Sequence, residues 1–160
     1  MRRAFGLLCL LPLTLLAACS NFDNQWNATR PPAIANPAAP LAGKWEGSWE
    51  SDATAYQGLM RVLVVPQSTT EQAGVASQHY DVQFKLYLFD VVSNEYALHF
   101  DATPGKDGRL HFEGAKDLGT WAGGIYKFDG YIDGNYFFCD YTSAKDCGTY
   151  SLRRLLTSLQ

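Results

Sequence analysis

The sequence predicts an all-β domain, an eight-stranded antiparallel meander folded as a sandwich or a barrel, which follows an export signal and a linker. Three observations predict it. From Ala42 to Arg154, aromatic, β-branched and glycine-rich segments alternate with turn residues at regular spacing, and none sustains a helical period. His79–Leu88 alternates strictly: Tyr80, Val82, Phe84, Leu86 and Leu88 share one face, and Asp81, Gln83 and Lys85 share the other. That is a strand with one buried and one wet side. Ahead of this domain, residues 20–41 are rich in Asn, Ala and Pro with almost no apolar periodicity, so they cannot bury enough surface to offset their ordering entropy.

The elements follow in chain order. Arg2 and Arg3 precede an apolar stretch, Ala4–Ala18, that contains Pro12 and ends in small residues. It is short for a membrane span and of the length of an export signal. Residues 1–18 are therefore read as a signal peptide, 19–41 as a linker, 42–154 as the β domain and 155–160 as a tail. As a coil the linker reaches roughly 25 Å, and as polyproline II at most about 70 Å.

Strands are expected near residues 44–50, 57–65, 79–89, 94–102, 109–114, 122–131, 135–141 and 147–153. Pairing across Pro104-Gly105-Lys106-Asp107 sets Phe100 opposite Leu110, Leu98 opposite Phe112 and Asp101 opposite Arg109, so apolar meets apolar and opposite charges meet. Asp133-Gly134 is a type I′ turn signal that sets Lys127 opposite Asp140, Phe128 opposite Cys139 and Gly130 under Phe137. In the first strand Trp45, Gly47 and Trp49 share a face.

The chain has 13 basic and 16 acidic residues; without Arg2 and Arg3 the balance is 11 against 16, a net charge of −5. An acidic surface with no basic block argues against nucleic acid and against anionic lipid headgroups as partners. Of four cysteines, Cys9 falls in the signal. Cys139 and Cys147 bracket the last hairpin in what export makes an oxidising compartment. A three-residue loop sets them opposite each other at disulfide distance. A four-residue loop sends the sulfurs to opposite faces. A disulfide is expected, in a structural role, because no Cys-x-x-Cys spacing is present.

Two resemblances extend this reading. Leu16-Ala17-Ala18-Cys19 resembles the lipobox of bacterial lipoprotein signal peptides. It implies cleavage before Cys19, lipidation of its thiol with diacylglycerol and acylation (palmitate-type) of the new amine. Several acyl chains hold a protein durably on a bilayer. Ser20, in place of Asp, implies passage to the outer membrane of the cell envelope, facing the periplasm. Gly43-Lys44-Trp45 and Tyr150-Ser151-Leu152-Arg153-Arg154 resemble the calycin group, the lipocalins and their shorter relatives. In that group a Gly-x-Trp strand opens the barrel, and its Trp lies beneath a terminal Arg or Lys. The resemblance implies a small calycin-like β-barrel in which Arg154 covers Trp45. The wider Trp and Gly-Thr pattern is similar to that of uncharacterised bacterial secreted proteins and implies no activity.

Trp45, Trp49, Tyr80, Phe84, Phe100, Phe112, Tyr126 and Phe128 are expected to point inward, either filling the barrel or lining a small cavity. No catalytic residue and no cofactor is assigned: Glu46 and Glu50 are about 13 Å apart along one strand, beyond glycosidase spacing, and nucleophile-elbow, phosphate-loop and dinucleotide motifs are absent. His99 and His111, opposite each other in the proposed hairpin with Asp101 and Glu113, are weighed as a metal site and not assigned, because no zinc motif accompanies them. Tyr131, Tyr136 and Phe138 are candidates for an exposed aromatic contact surface. The expected function is that of a non-catalytic lipoprotein, anchored in the membrane through Cys19, whose domain contacts an envelope protein or glycan. The alternatives are a carrier of a small apolar ligand and, suggested by short bacterial calycins, a protease inhibitor.

Overall fold

A computed structural model describes residues 21–32, 38–72, 75–89 and 92–157. Residues 1–18, read above as a signal peptide, and Cys19 lie outside the described residues. The strands are β1 (Gly43–Ser51), β2 (Gln57–Gln72), β3 (Val75–Leu88), β4 (Val92–Pro104), β5 (Leu110–Asp117), β6 (Ile125–Asp133), β7 (Tyr136–Thr142) and β8 (Cys147–Arg154). Each pairs antiparallel with the next, and β8 pairs back onto β1, closing an eight-stranded meander barrel. Closure leaves no free sheet edge around the barrel.

Alternation fixes the inside. Trp45, Met60, Val62, Tyr80, Val82, Phe84, Phe100, Phe112, Phe128, Phe137, Cys139, Tyr150 and Leu152 are buried in one core. Their rings interlock: Phe84 stacks on Tyr96 at 4.9 Å between centroids, Phe100 meets Phe112 at 4.6 Å, and Phe112 meets Phe137 at 4.8 Å. Gly130 exists to admit this packing, since a Cβ there would meet the Phe112 ring at 2.5 Å and the Phe138 carbonyl at 2.3 Å.

Three registers differ from the sequence expectation, each in its turn. Across β4 and β5, Asp101 faces Glu113 and Ala102 faces Phe112, because β4 runs on to Pro104 and the turn occupies the residues after it, with Gly105 donating to the Arg109 carbonyl at 2.7 Å. Between β6 and β7 the turn residues are Gly134 and Asn135, with Gly134 at φ +59°, so Cys139 and not Phe137 lies opposite Gly130. Between β7 and β8, Thr142 faces Cys147 and Cys139 faces Tyr150. This overturns the expected disulfide: both cysteines are free, Cys139 buried and Cys147 half-buried. The physical reason is parity. Turning Cys147 toward Cys139 would turn Tyr150, Leu152 and Arg154 out of the core.

The β2–β3 hairpin extends well past its expected end, with Thr69–Gln72 pairing back to Val75–Gln78 after a register shift at Pro66. The proline supplies no ladder N–H, which is where a bulge is expected.

The segment read as an extended tether contains a helix, α1 (Asn21–Ala28). Phe22 and Trp26, one turn apart, are buried against Leu63, an outward residue of β2, and Leu155. Asp23 takes a hydrogen bond from Lys85 at 2.5 Å, and Gln25 takes one from Gln83 at 2.6 Å. Since β3 passes Gln83 before Lys85, α1 runs antiparallel to β3 along the outer wall. The barrel's packing also reaches back to Leu41, which is fully buried, and Thr157 donates to the Pro32 carbonyl at 3.0 Å.

Outward positions form one unusual row. Asp101, Glu113, Asp129 and Asp140 lie directly opposite one another across four neighbouring strands, all exposed. Like charges in directly opposed positions are destabilising. A barrel that crossed a bilayer would carry an apolar band on this face.

Candidate functional site

The two ends of the barrel are built differently. At the end where β8 finishes, Arg154 lies opposite Trp45, its Cζ 4.0 Å from the centre of the Trp45 ring. Its guanidinium donates to the Ala42 and Pro40 carbonyls. The Trp45 indole donates to the Leu41 carbonyl at 3.0 Å. Gly43, at φ +126°, leaves the space that Arg154 fills, with a notional Cβ 3.3 Å from Nη1. Burial pushes the guanidinium down to about 10, and Tyr80 acts in the opposite direction. This end is sealed.

Tyr131, Tyr136 and Phe138 share the outer face near it. Tyr131 lies opposite Phe138, with ring centroids 5.5 Å apart. They are not a bare apolar patch, because Arg109 sits 4.4 Å over Tyr131 and Arg153 sits 4.3 Å over Tyr136. The register shift separates His99 from His111. His99 pairs with Asp81 at 2.5 Å, His111 with Asp107 at 3.0 Å and His79 with Asp101. Among the described residues no group of three or more His, Cys, Asp or Glu is arranged to hold a metal ion.

The other end is open. Its loops join β1 to β2, β3 to β4, β5 to β6 and β7 to β8, and a pocket of about 240 Å³ descends between them into the barrel. Trp49, Leu118, Tyr126, Tyr141, Tyr150 and Asp146 are among its walls. A larger hollow of about 440 Å³ lies on the outer wall around His79, Asp101 and Glu113. Its lining is mostly polar, with Thr70, Ser77, Thr103 and Asp129 beside these residues, and its histidines are already paired. The end pocket is the better candidate, since ligand sites are concave, mainly apolar and provided with a few converging polar groups.

Those polar groups are held by the fold. The hydroxyls of Tyr96 and Tyr150 bond to each other at 2.9 Å in the floor, and burial holds both phenols well above the usual value. Tyr126 donates to the Ala122 carbonyl at 2.8 Å. Asp146 accepts from Ser51 at 2.6 Å and from Tyr141 at 3.2 Å. The indole of Trp49 donates to the Tyr87 carbonyl at 3.1 Å.

Around the pocket the rim is apolar and uncovered. Trp121 is 98% exposed and Phe89 73%, with Tyr56 and Ile125 also exposed. All four lie on or beside loops of the open end, and Tyr56 meets Phe89 edge to face at 6.2 Å. Trp121 sits in a 3₁₀ turn, Thr120–Ala122, where β6 had been expected to begin. Phe89 takes φ +53°, a conformation L side chains seldom adopt.

Sequence reasoning placed Trp49 and Tyr126 inside but missed Tyr96, Tyr141, Asp146 and the rim. One signal was present. Along the inward faces of β4 and β6, and in reverse along β7, the tyrosine stands nearer the open end and the phenylalanine deeper. A buried hydroxyl needs a partner, which a barrel mouth can supply. No family model matches this chain, and no curated protein or solved structure matches it either.

Proposed function

We propose that this is a non-catalytic, lipid-anchored protein of the bacterial cell envelope whose calycin-like barrel binds another envelope component through its open end. The observation that carries this reading is the rim: Tyr56, Phe89, Trp121 and Ile125 are large apolar residues gathered at one end and left exposed. Exposed apolar patches of this kind mark contact sites. The lipobox resemblance at Cys19 and the export signal support the location. Cys19 precedes Asn21 by two residues, a reach of at most about 7 Å. Because α1 runs toward the sealed end, its start lies on the open-end side of the wall, which supports a reading with anchor and rim on one side.

A second reading, a carrier of a small ligand, has the pocket in its favour. The deep core is filled by Trp45, Phe84, Phe100, Phe112, Phe128 and Phe137. A cargo is therefore restricted to the open end.

Site-specific photocrosslinking in the producing cells tests the leading reading. A photoreactive residue at Trp121 is expected to capture a defined partner, and one at Tyr136, at the sealed end, is not. Capture from Tyr136 alone, or from neither position, sinks it. Loss of membrane association on Cys19→Ser is the matching expectation for the anchor.

A further inference from the structure

We propose that the open-end pocket binds a small organic ammonium cation, of the size of one ring with a short chain, with its charge on Asp146. This rests on reading the open end as the binding end.

Among the described residues, Asp146 is the only formally charged one in the pocket's walls. Its two oxygens accept from the hydroxyls of Ser51 and Tyr141, which are 1% and 3% exposed. Both donors are neutral. They aim the carboxylate without cancelling its charge, and each carboxylate oxygen keeps further acceptor capacity. The neighbouring cation, Lys145, is directed elsewhere, its Nζ donating to the Thr120 carbonyl at 3.1 Å.

The walls select the same sign of charge. Trp49, Tyr126, Tyr141 and Tyr150 surround the space, and aromatic faces attract cations through their quadrupole. An anion would meet the carboxylate and be repelled by it. The size follows from the volume: about 240 Å³ exceeds the roughly 150 Å³ that takes up benzene and falls below the roughly 300 Å³ at which drug-sized sites begin. The floor adds a preference. One proton of the Tyr96–Tyr150 pair serves the pair, and the other has no acceptor among the described residues. A ligand with an oxygen acceptor at its far end satisfies it.

The test is calorimetric titration of the mature protein with three probes of one shape: 2-phenylethylammonium, 2-phenylethanol and phenylacetate. The ammonium is expected to bind about tenfold or more tightly than the alcohol, and phenylacetate most weakly. Asp146→Asn should bring ammonium and alcohol level. Tyr150→Phe removes a floor hydroxyl that neither probe meets with an oxygen acceptor, and should leave their ratio unchanged. The ranking on the unaltered protein stands without either variant, so a variant that fails to fold does not blunt the test. Equal binding of alcohol and ammonium, tighter binding of phenylacetate, or no binding at all overturns the proposal. If no probe binds while crosslinks from Trp121 persist, the cation inference falls and the open-end reading stands; if both fail, both fall.

Discussion

Replacing Arg154 with alanine tests whether the sealed end is a structural lock. The change removes the donors to the Pro40 and Ala42 carbonyls and the cation 4.0 Å above Trp45. A buried carbonyl left unpaired costs about 1–3 kcal/mol; the low end applies here because water can enter the vacated space. The cation over the ring contributes about 1 kcal/mol. Working against the loss, the Arg154 Nε is buried with no partner, so part of the desolvation cost disappears with the side chain. The balance is a loss of about 2 kcal/mol. With a urea m-value of about 2 kcal/mol/M, the unfolding midpoint should fall by about 1 M. Arg154→Lys, which keeps a charge over Trp45 and cannot span both carbonyls, should fall between the two. A loss below about 0.5 kcal/mol for the alanine variant refutes the reasoning. So does an Arg154→Met variant as stable as the parent, since packing alone would then close the barrel.

Three further outcomes are expected. Burial holds the phenols of Tyr96 and Tyr150 protonated in the folded chain, whereas unfolding releases them to ionise near 10. Above that pH the unfolded state binds fewer protons, so stability should fall by about 3 kcal/mol per pH unit. Part of the tyrosinate absorbance should appear only with loss of the β circular-dichroism signal, and ionisation of every tyrosine before that loss argues against the buried hydroxyl pair. Asp129, flanked by Glu113 and Asp140 in the carboxylate row, should stabilise the barrel by roughly 0.5–1 kcal/mol when replaced by Asn. The gain should shrink in high salt, as thermal melts at two ionic strengths would reveal. Finally, an alkylating reagent applied without reductant should label Cys147 in the folded state and reach Cys139 only on unfolding. Intact mass reads this directly, and an unlabelled pair that becomes reactive after reduction would restore the disulfide.

What alternation could decide was legible. The inward faces of β1 and β3 followed from Trp45, Gly47, Trp49 and the Tyr80–Leu88 run, and the barrel they implied is the one that formed. Register was not decided at the same level. The β4–β5 and β6–β7 pairings moved by an even number of positions, which leaves every residue on its face. For the cysteines parity was decisive, and the inward demand of Tyr150, Leu152 and Arg154 already contradicted a bridge. Helix α1 escaped notice because eight residues with Phe22 and Trp26 one turn apart gain their stability from Leu63 and Lys85, which are remote in sequence. The pocket was hidden for a related reason, since its walls come from several strands and two of the four loops at that end.

The seam between β1 and β8 also governs how the chain reaches and leaves this state. Every other strand pair is joined by a local connection, whereas Trp45 and Arg154 are more than a hundred positions apart. Contacts of such separation carry the largest loop-closure entropy and are expected to form after the hairpins have assembled. A lock formed beyond the transition state leaves the folding rate nearly unchanged and slows unfolding. Trp45 and Arg154 thus also set how long the barrel survives once closed, a property measured as a lifetime.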